Sequence, residues 1–177
     1  MELKEVIISS KRLRQIPITL DYAKRIFSLF SSDITTYMYP QSANDISETI
    51  QFINSSIKSM EDGTNLQLVI LNSDTDEFLG CSGLHETVSG TPELGIWLKK
   101  FAHGYGYGIE AIGAIIEWAN KNIPFQYIKY PVDKRNYASK RIPEFYGGEI
   151  KSENKTINAA GFELDIVEYW IMPNSTK

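Results

Sequence analysis

The segment ELGIWLKKFAHGYGYGIEA, residues 93–111, constrains this chain more than any other. It reads as a strand, a short loop holding Gly104, Gly106 and Gly108, and then a helix. Glycine removes the side chain where another group must approach the main chain, and it permits turns closed to other residues. The first turn of a helix carries unpaired N–H groups and the positive end of the macrodipole. Loop and helix start together therefore suit a phosphate or pyrophosphate. A flexible loop or tight packing is the alternative. The preceding strand is not the first of the chain, and no acidic residue sits on a following strand ~20 residues on, so a dinucleotide fingerprint fits poorly. No Gly-Lys-Ser/Thr follows the loop, which excludes a Walker phosphate loop. A phosphate-bearing ligand other than NAD or a hydrolysable nucleotide remains.

The rest of the chain narrows the class. Its 177 residues fit one domain, residues 1–177, and no Pro/Gly/Ser linker or internal repeat divides it. Lys and Arg number 18 against 22 Asp and Glu, a net charge of −4, which gives no basic footprint for nucleic acid. No apolar run approaches the ~18 residues of a membrane span, and the N-terminus mixes acid with base without a sustained apolar core. The expectation is a soluble, cytoplasmic protein with no membrane or nucleic-acid partner. Two histidines and the lone Cys81 cannot build the usual structural zinc site, so no metal is expected.

Periodicity predicts the order β-α-α-β-β-β-α-β-α-β-β. A strand over 11–19 precedes a helix capped by Thr19 that carries Leu20, Ala23, Ile26, Phe27 and Phe30 at helical spacing. A second helix starts near Asn44, with Ile46, Ile50, Ile53, Ile57 and Met60 on one face, and ends at Asp62-Gly63. Strands over 66–71, 78–84 and 93–98 lead to the glycine loop and a helix over 109–121. A strand over 127–132, a short helix over 137–145, and strands over 148–153 and 162–172 complete the chain. This is an α+β pattern, a mixed α/β sheet with helices on its faces.

ELGIWL followed by HGYGYGIEA resembles the acetyl-CoA-binding motif of the GNAT N-acetyltransferases, in the branch typified by bacterial ribosomal-protein N-acetyltransferases. VDKRNYASKRIPEFYGG resembles that branch's N-x-x-S-x-x-I-P-E segment, and the opening SKRLRQIPITLDYA is like its first strand and helix. The three segments occur in family order and span nearly the whole chain. The resemblance implies a central, mostly antiparallel mixed sheet of about seven strands with about four helices. It implies acetyl-CoA as donor and an amine as acceptor, a small molecule or a protein N-terminus. The pyrophosphate would rest on main-chain N–H groups of His103, Gly104, Tyr105, Gly106, Tyr107 and Gly108. The pantetheine arm would run beside Ile96, Trp97 and Leu98, with Asn136 and Ser139 facing its thiol end. The family pattern has Gln or Arg at His103, often a basic residue at Tyr105, and Gly-Phe where Gly147-Gly148 stands here.

The implied chemistry is direct attack of the amine on the thioester in a ternary complex, where holding both reactants in geometry supplies ~7–11 kcal/mol. The acceptor must be neutral to attack. Glu93, which opens the strand before the loop, is the candidate base through a water, or alternatively a solvated carboxylate that attracts a cation. A main-chain N–H near Trp97 would stabilise the oxyanion. Ser139 is the candidate acid for the CoA thiolate, or otherwise a first-turn hydroxyl; Tyr146 could perform the same task or simply pack. His85 and Tyr39, with Tyr37 and Met38 beside it, are candidates for acceptor contact, the alternatives being a surface histidine and a cluster that is only core. Glu110 reads as structural at a helix start, and Cys81 as a small buried residue. The competing readings are a non-catalytic acyl-CoA-binding or partner-binding module, and a nucleotide-binding regulatory domain. The chain is compatible with a monomer or a homodimer.

Overall fold

The computed structural model describes residues 2–173, so Met1 and residues 174–177 of the expected single domain lie outside the described residues. Eight strands form one sheet: β1 (Ile8–Ser9), β2 (Leu13–Pro17), β3 (Leu66–Asn72), β4 (Phe78–His85), β5 (Glu93–Leu98), β6 (Ile128–Asp133), β7 (Glu149–Ile157) and β8 (Glu163–Ile171). Their spatial order is β1-β2-β3-β4-β5-β6-β8-β7. Every neighbouring pair is antiparallel except β5–β6, which is parallel and shares one register position, Glu93 opposite Lys129. The sheet is therefore closely laddered on either side and held at its middle by a single rung.

Five α-helices flank it: α1 (Ala23–Leu29), α2 (Ser32–Thr35), α3 (Ile46–Glu61), α4 (Tyr107–Asn122) and α5 (Tyr137–Phe145). Side chains alternate across a strand, so Cys81, Gly83 and His85 share one face with their partners Trp97, Gly95 and Glu93. Phe30, just past α1, packs on the Trp97 ring at 4.9 Å, which identifies that face as the α1/α3 side. On the opposite face Gln15 accepts from Ser82 Oγ at 2.6 Å and donates to the Ala111 carbonyl of α4 at 3.0 Å. That buried amide fixes β2, β4 and α4 relative to one another without leaving a polar atom unpaired. Around it the apolar core of Leu66, Leu68, Ile112, Ile115 and Ile171 is fully buried.

Several sequence expectations shift. The eighth strand, β1, is too short to show alternation and exists because Ile8 and Ser9 pair with Gln15 and Arg14. Thr19 makes no side-chain cap; Leu20–Tyr22 is a 3-10 turn ahead of α1. Asp45 rather than Asn44 caps α3, accepting from the Ser47 N–H at 2.8 Å. The buried line of α3 is Thr49, Ile53, Ser56 and Met60, with Ile50 at its exposed margin. Ser56 can sit there because its hydroxyl bonds back to the Phe52 carbonyl. β7 runs to Ile157 although SENKT carries no apolar signal, because main-chain pairing with β8 continues to Ile157 opposite Glu163.

Candidate active site

The site is organised by the parting of β5 from β6. Beyond the Glu93–Lys129 rung the two strands share no ladder position among the described residues. Lys99 donates its N–H to the Leu79 carbonyl on β4, and the alternation of main-chain groups turns those of Trp97 to the same side. A Cβ built on Gly80 would lie 2.1 Å from the Trp97 carbonyl oxygen, which places that carbonyl against β4. The N–H groups facing the β6 side therefore belong to Ile96 and Leu98. Of the three residues expected to pair with a pantetheine arm, Trp97 has its main chain committed to β4, and its ring packs between Phe30 and Phe78. The main-chain N–H groups near Trp97 that face away from β4 are thus those of its two neighbours.

At the end of β5 the chain makes a 3-10 turn, Lys100–Ala102, then enters the glycine loop. Gly104 and Gly106 take φ values of +85° and +77°, in the left-handed region that costs other residues about 1–2 kcal/mol. Among the described residues, the main-chain N–H groups of Gly104 to Ile109 donate to no protein acceptor. They lie at the start of α4, with its favourable dipole end. His103 departs from expectation: its N–H closes the 3-10 turn onto Lys100, so the donor run begins at Gly104. Its ring folds back, Nε2 donating to the Leu98 carbonyl at 2.8 Å. Tyr105 is exposed and Tyr107 lies 5.9 Å from it, ring to ring.

Sequence reasoning missed the group that holds this loop. Arg12, between β1 and β2, donates from Nη1 to the Tyr105 carbonyl at 3.0 Å and from Nε to Glu110 at 2.7 Å. Its guanidinium lies 4.6 Å from the centre of the Tyr107 ring. Arg12 and Glu110 are too far apart in sequence for any local motif to pair them.

On the other bank, α5 begins at Asn136, whose side chain caps the helix by accepting from the Ser139 N–H at 3.2 Å. Ser139 Oγ is 2.8 Å from the Tyr130 hydroxyl, and burial pushes that tyrosine up to about 12, so it stays protonated. Tyr146, the alternative candidate for the acid, is turned towards α4. Its hydroxyl donates to the Ile109 carbonyl at 2.6 Å and would collide with any Cβ at Gly113, which makes it a packing link between α5 and α4. The turn that carries Asn136 is held by the buried carboxylate of Asp133, which accepts two hydrogen bonds from the Arg135 guanidinium and one from the Asp165 N–H.

The α1/α3 face holds the acceptor-side candidates. His85 and Glu93 are direct cross-strand partners, with the His85 ring folded over Gly83 and Gly95. Burial lowers the His85 pKa and outweighs the opposing effect of Glu86. Burial raises that of Glu93 against the pull of Lys129, whose Nζ is 4.0 Å away, and Glu86 and Glu168 push the same way. Lys129 itself is held by Glu86 at 2.9 Å. Tyr39 is not brought to this group by any described contact. It is exposed, and its carbonyl accepts from the Ala159 N–H at the β7–β8 turn, while Tyr37 stacks 5.3 Å from Arg135. Cys81 is buried mid-strand, its thiol pushed well up by burial. No helix is long and apolar enough to cross a membrane, and no metal-binding cluster occurs among the described residues.

The profile described as Acetyltransferase (GNAT) domain matches residues 12–149. Among solved structures, the chain superposes on RimL, a ribosomal-protein alpha-N-acetyltransferase in complex with coenzyme A, at TM-score 0.85 and 16% identity, covering 96% of this chain and 99% of that one. Spermidine N-acetyltransferase from Vibrio cholerae, in complex with CoA and spermine, gives TM-score 0.80 and 16% identity over 94% and 99%. A GNAT-family acetyltransferase from Bacillus anthracis gives 0.81 and 20% over 95% and 99%. No curated protein matches the chain in sequence.

Proposed function

The chain belongs to the GNAT acetyltransferase family, whose members use acetyl-CoA, and on that premise we propose that it moves the acetyl group directly from acetyl-CoA to a primary amine within a ternary complex. The observation that carries this reading is the parting of β5 from β6 next to the unpaired N–H groups of Gly104 to Ile109. An elongated donor laid in that gap meets strand main chain along its arm and helix-start donors at its phosphates.

In this reading the pantetheine amides pair with Ile96 and Leu98. One of those N–H groups lies where charge develops on the thioester oxygen, the arrangement that gives preorganised donors their large effect. Glu93 takes the amine proton through a water, and its raised pKa brings it nearer the pH at which the base must work. Ser139, hydrogen-bonded to Tyr130, returns a proton to the departing thiolate, while the free Nδ2 of Asn136 contacts the pantetheine. The acceptor enters over the α1/α3 face, past His85. Three carboxylates, Glu86, Glu93 and Glu168, act there against the single charge of Lys129, which favours an acceptor that carries positive charge beyond the reacting amine. Relatives of this fold are named for a protein N-terminus and for spermidine, and both kinds belong in the acceptor panel.

The test is calorimetric titration with acetyl-CoA, using ATP and NAD as controls, followed by thiol release with a panel of amines. Saturable acetyl-CoA binding with ATP and NAD silent, and turnover with at least one amine, is the expected result. Binding without turnover on any amine identifies a non-catalytic acyl-CoA-binding module instead. Absence of acetyl-CoA binding overturns the reading.

A further inference from the structure

The hairpin connection Ser10–Arg12 converges on one carboxylate of α4. Glu110 Oε1 accepts from Ser10 Oγ and from the Arg12 N–H, both at 2.7 Å, and Glu110 Oε2 accepts from Arg12 Nε at 2.7 Å. Burial raises the Glu110 pKa, but these hydrogen bonds and the Arg12 charge outweigh it, so the carboxyl sits below its usual range and is ionised. An ionised carboxylate in the first turn of α4 suits the empty helix but repels a phosphate brought to the same turn. The loop 103–108 has no Lys or Arg of its own to offset it.

Arg12 does a second thing at the same place. Its Nη1 holds the Tyr105 carbonyl. In a trans peptide the C=O and the following N–H point in opposite directions, so drawing the Tyr105 oxygen towards Arg12 turns the Gly106 N–H away from it. The Tyr105–Gly106 peptide runs into a residue at φ +77° and follows Gly104 at φ +85°, where little else opposes a peptide flip. Arg12 Nη2 also reaches to 3.7 Å of where a Gly106 Cβ would stand.

We propose that Arg12 is a positioning residue for the phosphate end of the donor: it neutralises Glu110 and fixes the Tyr105–Gly106 peptide so that its N–H faces the phosphate. The inference rests on the reading of Gly104 to Ile109 as the phosphate site. It assigns to the N-terminal hairpin a task that the loop's own side chains do not perform.

The experiment is acetyl-CoA binding by calorimetry for the full-length wild type and for Arg12→Gln, Arg12→Lys, Glu110→Gln and the Arg12→Gln/Glu110→Gln double variant, with melting temperatures recorded alongside. Arg12→Gln should weaken binding about tenfold, the scale of one charge-assisted hydrogen bond. Arg12→Lys, which keeps the charge but not the planar fork, should fall between the two. Glu110→Gln should bind about threefold more tightly, because the amide oxygen can still accept from Ser10 Oγ and the Arg12 main-chain N–H, while the repulsive charge is gone together with the Arg12 Nε bond. The double variant should recover most of the Arg12→Gln loss. A merely structural clamp predicts instead that both single variants weaken binding alike, and that result overturns the proposal, as does unchanged binding in Arg12→Gln. If Arg12→Gln fails to fold, the opposite signs expected of Arg12→Lys and Glu110→Gln decide. A wild type that binds no acetyl-CoA sinks the functional reading itself, whereas a binding wild type with insensitive variants sinks only the role of Arg12.

Discussion

His85 and Glu93 face each other across the β4–β5 ladder, and one cause moves both towards their uncharged forms: burial lowers the imidazole and raises the carboxyl. For Glu93 as a base, the deprotonated form is active. Activity should therefore fall as pH drops through a value above that of an ordinary glutamate, and a pH profile of kcat should show that limb. Glu93→Gln should remove it and lower kcat about a hundredfold or more, leaving acetyl-CoA binding intact. The stability sign runs the other way. A carboxyl whose folded pKa is raised stabilises the fold below its unfolded pKa, and that contribution is lost as pH rises through the folded value. Glu93→Gln should therefore melt no lower than wild type at neutral pH.

Ser139 and Tyr146 can be separated by their hydrogen bonds. Tyr146→Phe removes only the bond to the Ile109 carbonyl and should cost about 1 kcal/mol of stability with kcat retained. Ser139→Ala should lower kcat about tenfold or more on the proposed mechanism, with donor affinity little changed. Stopped-flow acetyl transfer and urea unfolding of both variants distinguish them.

Two glycines should fail in different ways on substitution by alanine. At Gly104 a Cβ meets nothing within 4 Å, so the cost is the torsion at φ +85° alone. Gly104→Ala should lose about 1–2 kcal/mol and bind acetyl-CoA more weakly. At Gly80 the Cβ would strike the Trp97 carbonyl and force β4 from β5. Gly80→Ala should lose about 3 kcal/mol or more, visible as a lower urea midpoint before any assay of binding.

Asp133 has no exposed side-chain surface, and the guanidinium of Arg135 holds its pKa down to about 2. With a depressed value, its stabilisation is present above the ordinary 3.8 and lost as pH falls through about 2. Asp133→Asn should cost on the order of 2–3 kcal/mol at pH 7. Unfolding measured at falling pH should show the gap between variant and wild type closing. The same change should loosen the turn that carries Asn136.

How much was legible in the sequence depended on how local the signal was. The strand–loop–helix of residues 93–111 is local, and β5, the two left-handed glycines and α4 follow it closely. His85 and Glu93 were legible as separate candidates at strand ends, but their pairing comes from the β4–β5 register. Which side of a strand its main-chain groups turn to was not legible, so Ile96, Trp97 and Leu98 were named together although the Trp97 main chain turns to β4. β1 and the outer half of β7 owe their form to a neighbouring strand, and their own residues carry no alternation to announce it. Arg12 and Glu110 meet only because the β1–β2 hairpin and α4 are brought side by side by the fold.

The single rung between β5 and β6 leaves the sheet as two laddered plates joined at one register position and by the core they share. Each plate is laddered within itself, and Ile96 and Leu98 present amide groups to a neighbour that the polypeptide does not supply. On the proposed pairing, a donor laid there would act as a ninth, removable strand, stitching the plates for as long as it stays bound. The cofactor would then be a part of the architecture as well as a reactant, and thermal stability should climb with its concentration as RT ln(1 + [L]/Kd). Each turnover would release that stitch as the spent carrier leaves and restore it with the next.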